Sequence, residues 1–329
     1  ARPRYPWGYV QDNQETPTTP EDTNHIWNWR SYDCALVRRG SLTLWIDEKV
    51  LQHWRYQGPF QRGAQFRYSD LAIQCMLSLR EVFHLPNRAV EGLVRSLFAL
   101  LGVDLPVPDH TTLSRRGRRL QVRLPKKACG PLHLALDSSG LKVYGEGEWK
   151  VRQHGWSRRR TWRKLHLAVD PERHEIQAAL LSPAGGHDAQ AVPALLAQVE
   201  RPIVHVAADG AYDRRSVYQA LARASPEAAI AIPPRRDGRI WQQGNRHAPP
   251  LARDENLRFI RRHGRSCWKR QSGYHKRSLA ETAVFRLKTI FGDRLSARRL
   301  DTQSTQALIR CCALHRMTHL GMPESIPVA

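Results

Sequence analysis

Two aspartates, Asp137 and Asp209, stand where a pair of carboxylates could do chemistry together. Each follows an apolar stretch with the two-residue alternation of a strand, "LHLALD" (132–137) and "IVHVAAD" (203–209), and each precedes a pair of small, turn-forming residues. Open α/β sheets present functional groups at the C-terminal ends of their strands. If the two strands are neighbours, the carboxylates converge, and such oxygen ligands suit Mg²⁺ or Mn²⁺. The alternative is that each aspartate only terminates its strand.

A third acid, Glu281, is the one carboxylate in the basic stretch "GYHKRSLAETAVFRLK". At about 100° per residue, helical geometry places four residues in a sector of about 60°, namely Tyr274, Arg277, Glu281 and Lys288. The apolar residues fall on the opposite side of this helix, which can pack against a sheet while its edge directs Glu281 toward the two aspartates. Spacing alone favours another interpretation, in which Glu281 forms an ion pair with Arg277 four residues earlier.

The stretches around these acids predict an α/β fold, with a mixed sheet covered by helices. Three strand-like stretches follow one another from residue 131 onward, and helical and strand-like stretches then alternate. The predicted strands are 132–137, 163–170, 175–182, 203–209 and 228–232, and the predicted helices between them are 188–199 and 213–224. A polar segment broken by Pro and Gly, 233–259, precedes the last helices.

The first part of the chain has a mainly helical pattern. Apolar spacing over 68–103 predicts two helices separated by Pro86, and the strand-like "SLTLWID" (41–47) is the only regular feature before them. Further on, "TTLSRRGRRLQVRL" predicts a short helix entered through Thr and Ser caps, whose Arg115 and Arg116 could dock on phosphates. A helical bundle with a solvated basic face explains these arginines equally well.

The net charge indicates a polyanionic partner. The 329 residues include 52 Lys and Arg against 30 Asp and Glu, a formal net charge of +22. Such an excess favours nucleic acid over an anionic membrane surface, because no compact lysine-rich amphipathic helix is evident. No run of 18 apolar residues and no signal-peptide core are present, so we expect no membrane partner and a cytoplasmic, nucleoid-associated protein.

Cysteine and histidine raise a separate question about metals. Six cysteines are scattered without a CxxC pair, which argues against a disulfide scaffold. The stretch "CCALHRMTHL" offers four possible zinc ligands, Cys311, Cys312, His315 and His319. Adjacent cysteines point apart on a helix, and all four ligands would come from one helix, so the pattern favours a buried terminal helix instead.

Together these stretches resemble the bacterial insertion-sequence transposases of the DDE class, specifically the insertion-sequence-five family. The residues that carry the resemblance reproduce that family's Y-x₂-R-x₃-E-x₆-K signature without a gap: Tyr274, Arg277, Glu281 and Lys288. "LALDSSGLKVYGEGEW", "WRKLHLAVD" and "AADGAYD" stand around them in the expected order, with Ser139 as a conservative departure from Thr. "NWRSYDCALVRRGSLTLWID" and "VPDHTTLSRR" resemble the family's N-terminal region, so the resemblance covers nearly the whole chain.

The resemblance implies a ribonuclease-H-like catalytic domain with Asp137, Asp209 and Glu281 as its DDE triad. The triad would hold two divalent ions, Mg²⁺ with Mn²⁺ as a substitute, and the other three residues of the signature would contact DNA near the cleaved end. The implied organisation is a flexible arm at 1–26, a mainly helical DNA-binding region at 27–125 and the catalytic domain at 131–322. An insertion at about 233–270 would shape the DNA groove.

The activity implied by the resemblance is DNA transposition. The protein would cleave double-stranded DNA at the terminal inverted repeats of an insertion sequence and transfer the 3′-OH ends to target DNA, acting as a homo-oligomer on DNA. Metal-dependent phosphoryl transfer of this kind needs no covalent enzyme intermediate. Two alternatives stay open, a ribonuclease-H-like nuclease without strand transfer and a catalytically silent DNA-binding protein derived from a transposase.

Overall fold

The computed structural model describes residues 24–60, 62–63, 65–125, 130–143, 162–242 and 251–327. Within these ranges, no helix is both long and apolar enough to cross a membrane. A short strand, β1 (Asn24–Ile26), pairs antiparallel with the last described strand, Ser325–Pro327. The last three residues of the predicted arm at 1–26 therefore have regular structure, while its residues 1–23 lie outside the described part of the chain.

Helices make up the first part of the described chain. They are α1 (Trp29–Arg38), α2 (Leu42–Trp45), α3 (Glu48–Gln52), α4 (Asp70–Val82), α5 (Asn87–Leu100) and α6 (His110–Gly117). The two helices predicted over 68–103 are confirmed as α4 and α5, and Pro86 is the N-terminal cap residue of α5. Pro86 fits there because the cap position needs no amide hydrogen bond.

Two local predictions in this region are wrong. "SLTLWID" forms α2 instead of a strand, because one helical turn brings Trp45 into the core, where its indole N–H donates to the carbonyl of Arg39. Short apolar runs fit either structure by periodicity alone. The cap of α6 is Asp109, whose carboxylate accepts hydrogen bonds from the amides of Thr111 and Thr112, so the threonine hydroxyls do not cap this helix.

The second part of the chain builds a six-stranded mixed sheet. Its strands are β2 (Leu132–Val143), β3 (Trp162–Asp170), β4 (Glu175–Pro183), β5 (Ile203–Ala208), β6 (Ala229–Ala231) and β7 (Arg294–Leu295). The order is β4-β3-β2-β5-β6, and β7 pairs with the end of β2. β2, β3 and β4 are antiparallel neighbours, whereas β5 and β7 run parallel to β2 and β6 runs parallel to β5.

Helices cover both faces of this sheet, which confirms the predicted α/β, ribonuclease-H-like architecture. They are α7 (Val192–Leu196), α8 (Arg215–Ala224), α9 (Ala252–His263), α10 (Arg265–Gln271), α11 (Ser278–Phe291) and α12 (Leu300–Thr318). Leu134 and Leu136 of β2 share one core with α7 and α8, while Ala135 belongs to a second core with α11, α12, α4 and α5. This split follows the two-residue period of a strand.

A buried polar cluster joins α4 to α12. Glu81 is 5% exposed, and its carboxylate accepts hydrogen bonds from Arg310, at 2.6 Å, and from Gln306. Arg80 forms a further ion pair with Glu81 at 2.6 Å. Burial raises the pKa of Glu81, but the two guanidinium groups outweigh this effect and hold the pKa below its ordinary value. The helices of the first part and the sheet of the second therefore share apolar and polar contacts, and the division at 27–125 and 131–322 stays a prediction.

Candidate active site

Asp137 and Asp209 lie side by side on neighbouring strands. β2 and β5 run parallel, and Leu136 is the register partner of Ala208, so each aspartate is the next residue along the chain. Asp209 follows β5 directly, and its Oδ1 accepts a hydrogen bond of 2.9 Å from the amide of Ala211. The parallel pairing thus supplies the convergence of two carboxylates that a shared site requires.

Asp137 does not end its strand, contrary to the expectation from the sequence. β2 continues for six more residues to Val143, and Ser138 and Ser139 pair with β3 instead of forming a turn. The extension is possible because β3 supplies an antiparallel partner along this whole part of β2. Asp137 therefore projects from the middle of a strand, and its side chain is only 15% exposed.

Glu281 is positioned by the first turns of α11. The buried side of this helix packs against β2 and β3 and consists of Ala280, Ala283, Leu287 and Phe291. Glu281 lies away from that side and is 53% exposed. The helix is preceded by a 3₁₀ turn (Tyr274–Arg277), which begins after Gly273 in a left-handed conformation with φ of 67°. The imidazole of His205 on β5 donates to the carbonyl of Ser272 at 2.8 Å and holds this turn against the sheet.

Arg277 lies between two of the three acids. Its Nη2 forms an ion pair and hydrogen bond with Oε1 of Glu281, and its Nη1 is 3.7 Å from Oδ1 of Asp137. Glu281 thus makes the ion pair that spacing alone favours, and the same guanidinium connects it to the sheet. We call Asp137, Asp209 and Glu281 the acidic cluster.

The pKa of Asp137 reflects its burial first and the neighbouring charges second. Burial raises its pKa above the ordinary value, and the charges of Asp209 and Glu281 add to that rise. The amide of Ser138 and the guanidinium of Arg277 oppose it only in part. A cation bound between these carboxylates would therefore relieve an unfavourable concentration of charge.

The donor set of the acidic cluster suits a hard divalent cation, because it consists of three carboxylates. Within the described ranges, the oxygens of these three carboxylates do not all lie within 4.8 Å of one another. The two aspartates occupy neighbouring positions at β2 and at the end of β5, whereas Glu281 is paired with Arg277. The residues therefore fit such an ion in type.

The other two residues of the signature take different positions. The ring of Tyr274 lies beside Trp268, with centroids 5.6 Å apart, and Arg277 lies 5.9 Å from the centroid of Tyr274. Lys288 is partly exposed and lies seven residues after Glu281 on α11, which is about 10 Å along the helix axis. The structure therefore brings Tyr274 and Arg277 together in the 3₁₀ turn and places Lys288 further along the chain, on α11.

Arg115 and Arg116 do not contact the acidic cluster. Arg116 is 12% exposed, pairs with Asp70 at 2.6 Å and lies 3.9 Å above the ring of Phe66, so its charge is engaged within the protein. Arg115 is exposed and lines a large groove of about 1190 Å³. Seven arginines and a single acid, Glu81, line this groove: Arg80, Arg88, Arg115, Arg118, Arg298, Arg299 and Arg310. We call it the arginine groove.

Sequence reasoning missed two residues near the acidic cluster, Tyr212 and Asp188. Tyr212 is 1% exposed, and burial together with the nearby charges of Asp188, Asp137 and Asp209 raises its pKa strongly. Asp188 in turn forms an ion pair with Lys164 on β3, with 3.0 Å between Nζ and Oδ1. The "AADGAYD" stretch contains Tyr212, but only the packing of the turn after β5 reveals that this buried tyrosine lies near Asp188, Asp137 and Asp209.

The segment predicted as an insertion at 233–270 is tied to the end of β5. Arg253 on α9 is 3% exposed and pairs with Asp213 at 2.8 Å, and its guanidinium lies 3.9 Å from the ring centroid of Trp241. Asp254 accepts hydrogen bonds from the amides of Trp241 and Gln242. Asp213, the last residue of "AADGAYD", is four residues after Asp209. Its ion pair with Arg253 therefore holds α9 near the end of β5.

Comparison with protein families gives two matches. Residues 37–146 match a family model described as a transposase DDE domain, and residues 128–315 match a second model with the same description. The second match alone spans more than half of the chain and contains all three residues of the acidic cluster.

Proposed function

The chain belongs to the family of proteins with a transposase DDE domain, and from this premise we propose that it cleaves DNA at insertion-sequence ends and transfers their 3′-OH ends to target DNA. We assign it to the insertion-sequence-five family, because the signature from Tyr274 to Lys288 is uninterrupted. The observation that carries the proposal is the convergence of Asp137 and Asp209 on neighbouring parallel strands, with Arg277 connecting Glu281 to Asp137.

The acidic cluster is the proposed metal site. Asp137, Asp209 and Glu281 would hold Mg²⁺, or Mn²⁺ in its place. Two such ions, when bound, supply activation of a water or 3′-OH nucleophile and neutralisation of the charge on the leaving 3′ oxygen. The raised pKa of Asp137 supports this role, since a carboxylate that is buried and close to other acids is stabilised in its ionised form by a nearby cation.

Arg277 is the proposed partner of the DNA phosphate at the cleaved end. Without DNA its guanidinium neutralises Glu281, and it is 19% exposed at the rim of the cluster. A phosphate offers the same two-oxygen geometry as a carboxylate, so Arg277 can exchange Glu281 for DNA and leave that carboxylate for an ion. Tyr274 and Lys288 would hold the DNA on either side of this contact.

The positively charged surface away from the acidic cluster suggests where the rest of the DNA binds. We propose that the helical region at 27–125 binds terminal inverted repeats through the arginine groove, to which Arg115 contributes. Arg116 is assigned to holding α6 in place, because its charge is already paired. Within the catalytic domain at 131–322, the segment at 233–270, anchored through Arg253 and Asp213, would form one wall of the DNA groove. A homo-oligomer on DNA and a location at the nucleoid complete the proposal.

The test is cleavage and strand transfer by Glu281→Gln. The substitution keeps the size of the side chain and its place on an exposed helix face, so binding to the element's ends should be retained. Cleavage and joining should both disappear, because a neutral glutamine cannot replace a carboxylate ligand. Gel-shift and cleavage assays on the same labelled end fragment measure the two properties separately.

Glu227→Gln is the matched control, since Glu227 is an exposed acid between α8 and β6. It should cleave and join like the unmodified chain. Undiminished strand transfer by Glu281→Gln would refute the proposed role of the acidic cluster. Loss of end binding by that variant alone would instead assign Glu281 to DNA recognition.

A further inference from the structure

Glu175, His315 and His319 direct one ligand atom each toward a common point, and none of them belongs to the acidic cluster. Across the ranges that the structure covers, they form the one group of three His, Cys, Asp or Glu side chains whose ligand atoms lie within 4.8 Å of one another. The Nε2 atoms of the two histidines are 2.9 Å apart, and Nε2 of His319 is 3.4 Å from Oε1 of Glu175.

The elements that carry these residues are already packed together. His315 and His319 are four residues apart at the C-terminal end of α12, so they share one face of the helix. Glu175 is the first residue of β4, against which α12 packs. The nearby Cys311 and Cys312 are buried in the core and do not belong to the group, which agrees with the buried terminal helix that the sequence favours.

The carboxylate of Glu175 is held in place by a hydrogen bond and forms no ion pair with a Lys or Arg of the described chain. Its side chain is 6% exposed, and Oε2 accepts a hydrogen bond of 3.1 Å from the side-chain amide of Gln177. The other oxygen, Oε1, lies on the side of the histidines. Buried carboxylates are normally paired with a cation or bound to a metal ion, because an isolated buried charge is costly. Outer hydrogen bonds such as the one from Gln177 are typical of metal ligands.

The distances suit a tetrahedral ion with nitrogen and oxygen ligands. Zinc bonds of about 2.0 to 2.1 Å at tetrahedral angles put neighbouring ligand atoms about 3.3 Å apart. The distance of 3.4 Å from His319 to Glu175 matches this value, and the 2.9 Å between the histidines requires a widening of about 0.4 Å. His315 is buried, whereas His319 is 31% exposed, so the ring of His319 can move and water can reach the fourth position.

We propose that Glu175, His315 and His319 bind one Zn²⁺ ion, with water as the fourth ligand. The ion ties the end of α12 to the first residue of β4 and so has a structural role. This inference is independent of the DNA chemistry proposed above, because it uses no residue of the acidic cluster and no DNA.

The experiment measures zinc on the full chain, produced without a polyhistidine tag and stripped with a chelator. After equilibrium dialysis against Zn²⁺, elemental analysis should find about one more zinc ion per chain in the unmodified protein than in His319→Gln. Zinc at a hundredfold excess over its dissociation constant should raise the folding equilibrium constant about 100-fold, and Tm accordingly. This increase should be absent in His319→Gln. In Co²⁺-loaded protein, the visible absorption of tetrahedral cobalt should also disappear in that variant.

His53→Gln is the matched control, because His53 is an exposed histidine at the end of α3. It should keep the zinc content and the zinc-dependent Tm of the unmodified chain. His319→Gln should fold, since His319 lies at the exposed end of α12, and its circular dichroism should equal that of the control. Equal zinc content in His319→Gln and His53→Gln would overturn the proposal, as would the absence of bound zinc in the unmodified chain. Either result would reduce the group to a hydrogen-bonded histidine pair beside a carboxylate.

Discussion

We expect the ion pair between Glu81 and Arg310 to make a measurable contribution to the stability of the fold. Arg310→Met removes the guanidinium that donates to Glu81 at 2.6 Å, but keeps an unbranched side chain of similar length. Both side chains are about 5% exposed, so solvent cannot replace the lost partner. Breaking a buried pair in this way costs about 3 to 5 kcal/mol. Because Arg80 and Gln306 still contact Glu81, we expect the lower end, about 3 kcal/mol, and a fall in Tm of about 5 °C.

The pH dependence of this loss follows from the lowered pKa of Glu81. The ordinary pKa is 4.5 and the folded-state pKa lies below it, so the ionised carboxylate stabilises the fold fully above about pH 5. That stabilisation is lost as the pH falls through the folded-state pKa. The difference in unfolding free energy between the unmodified chain and Arg310→Met should therefore be constant near neutral pH and shrink in acid.

Denaturant unfolding of four chains measures the pair directly: the unmodified protein, Arg310→Met, Glu81→Gln and the double variant. The double variant should lose less than the two single losses combined, because it leaves no buried carboxylate without its partner. Additive losses, or a loss from Arg310→Met below about 1 kcal/mol, would refute the argument that burial makes this pair strong.

The remaining predictions concern the two arginines of α6. Arg115→Gln should reduce the slope of log binding constant against log salt concentration by about 0.9, because the variant cannot make the proposed phosphate contact in the arginine groove. Arg116→Gln should leave that slope unchanged and lower the unfolding free energy by about 1 kcal/mol, because it removes the contact with Phe66. Fluorescence anisotropy on a terminal fragment at several salt concentrations and thermal unfolding measure the two effects. An unchanged slope for Arg115→Gln, or a changed slope for Arg116→Gln, would contradict these assignments.

The sequence predicted those features that depend on local periodicity. Alternating apolar residues identified five of the six strands of the sheet, all but the two-residue β7, and helical spacing identified α4, α5 and the apolar side of α11. Asp137 and Asp209 could be singled out because strand alternation makes a carboxylate after an apolar run conspicuous. Their proximity needed only the assumption of neighbouring strands, which the register of Leu136 and Ala208 confirms.

Features that depend on contacts distant in sequence could not be predicted. β2 extends past Asp137 because β3 pairs with it there. Ser138 and Ser139 are small, turn-forming residues, so their types do not predict this pairing. The cap of α6 was misassigned because the helix begins before the threonines, and the carboxylate of Asp109 accepts hydrogen bonds from the amides of Thr111 and Thr112. Glu175 is 140 residues before His315 in the chain, so their meeting emerges only from the packing of α12 on β4.

The most direct test of the central claim is strand joining by pre-cleaved ends. A fragment with a free 3′-OH at the element's end is incubated with supercoiled plasmid, the full-length protein and Mg²⁺. We predict joined product with the unmodified protein and none with Asp209→Asn, which keeps the shape of the side chain but removes its negative charge. Absence of joined product from the unmodified protein, under conditions in which it still cleaves uncut ends, would contradict transposition and indicate a nuclease. Joined product from Asp209→Asn would contradict the assignment of the acidic cluster as the catalytic site.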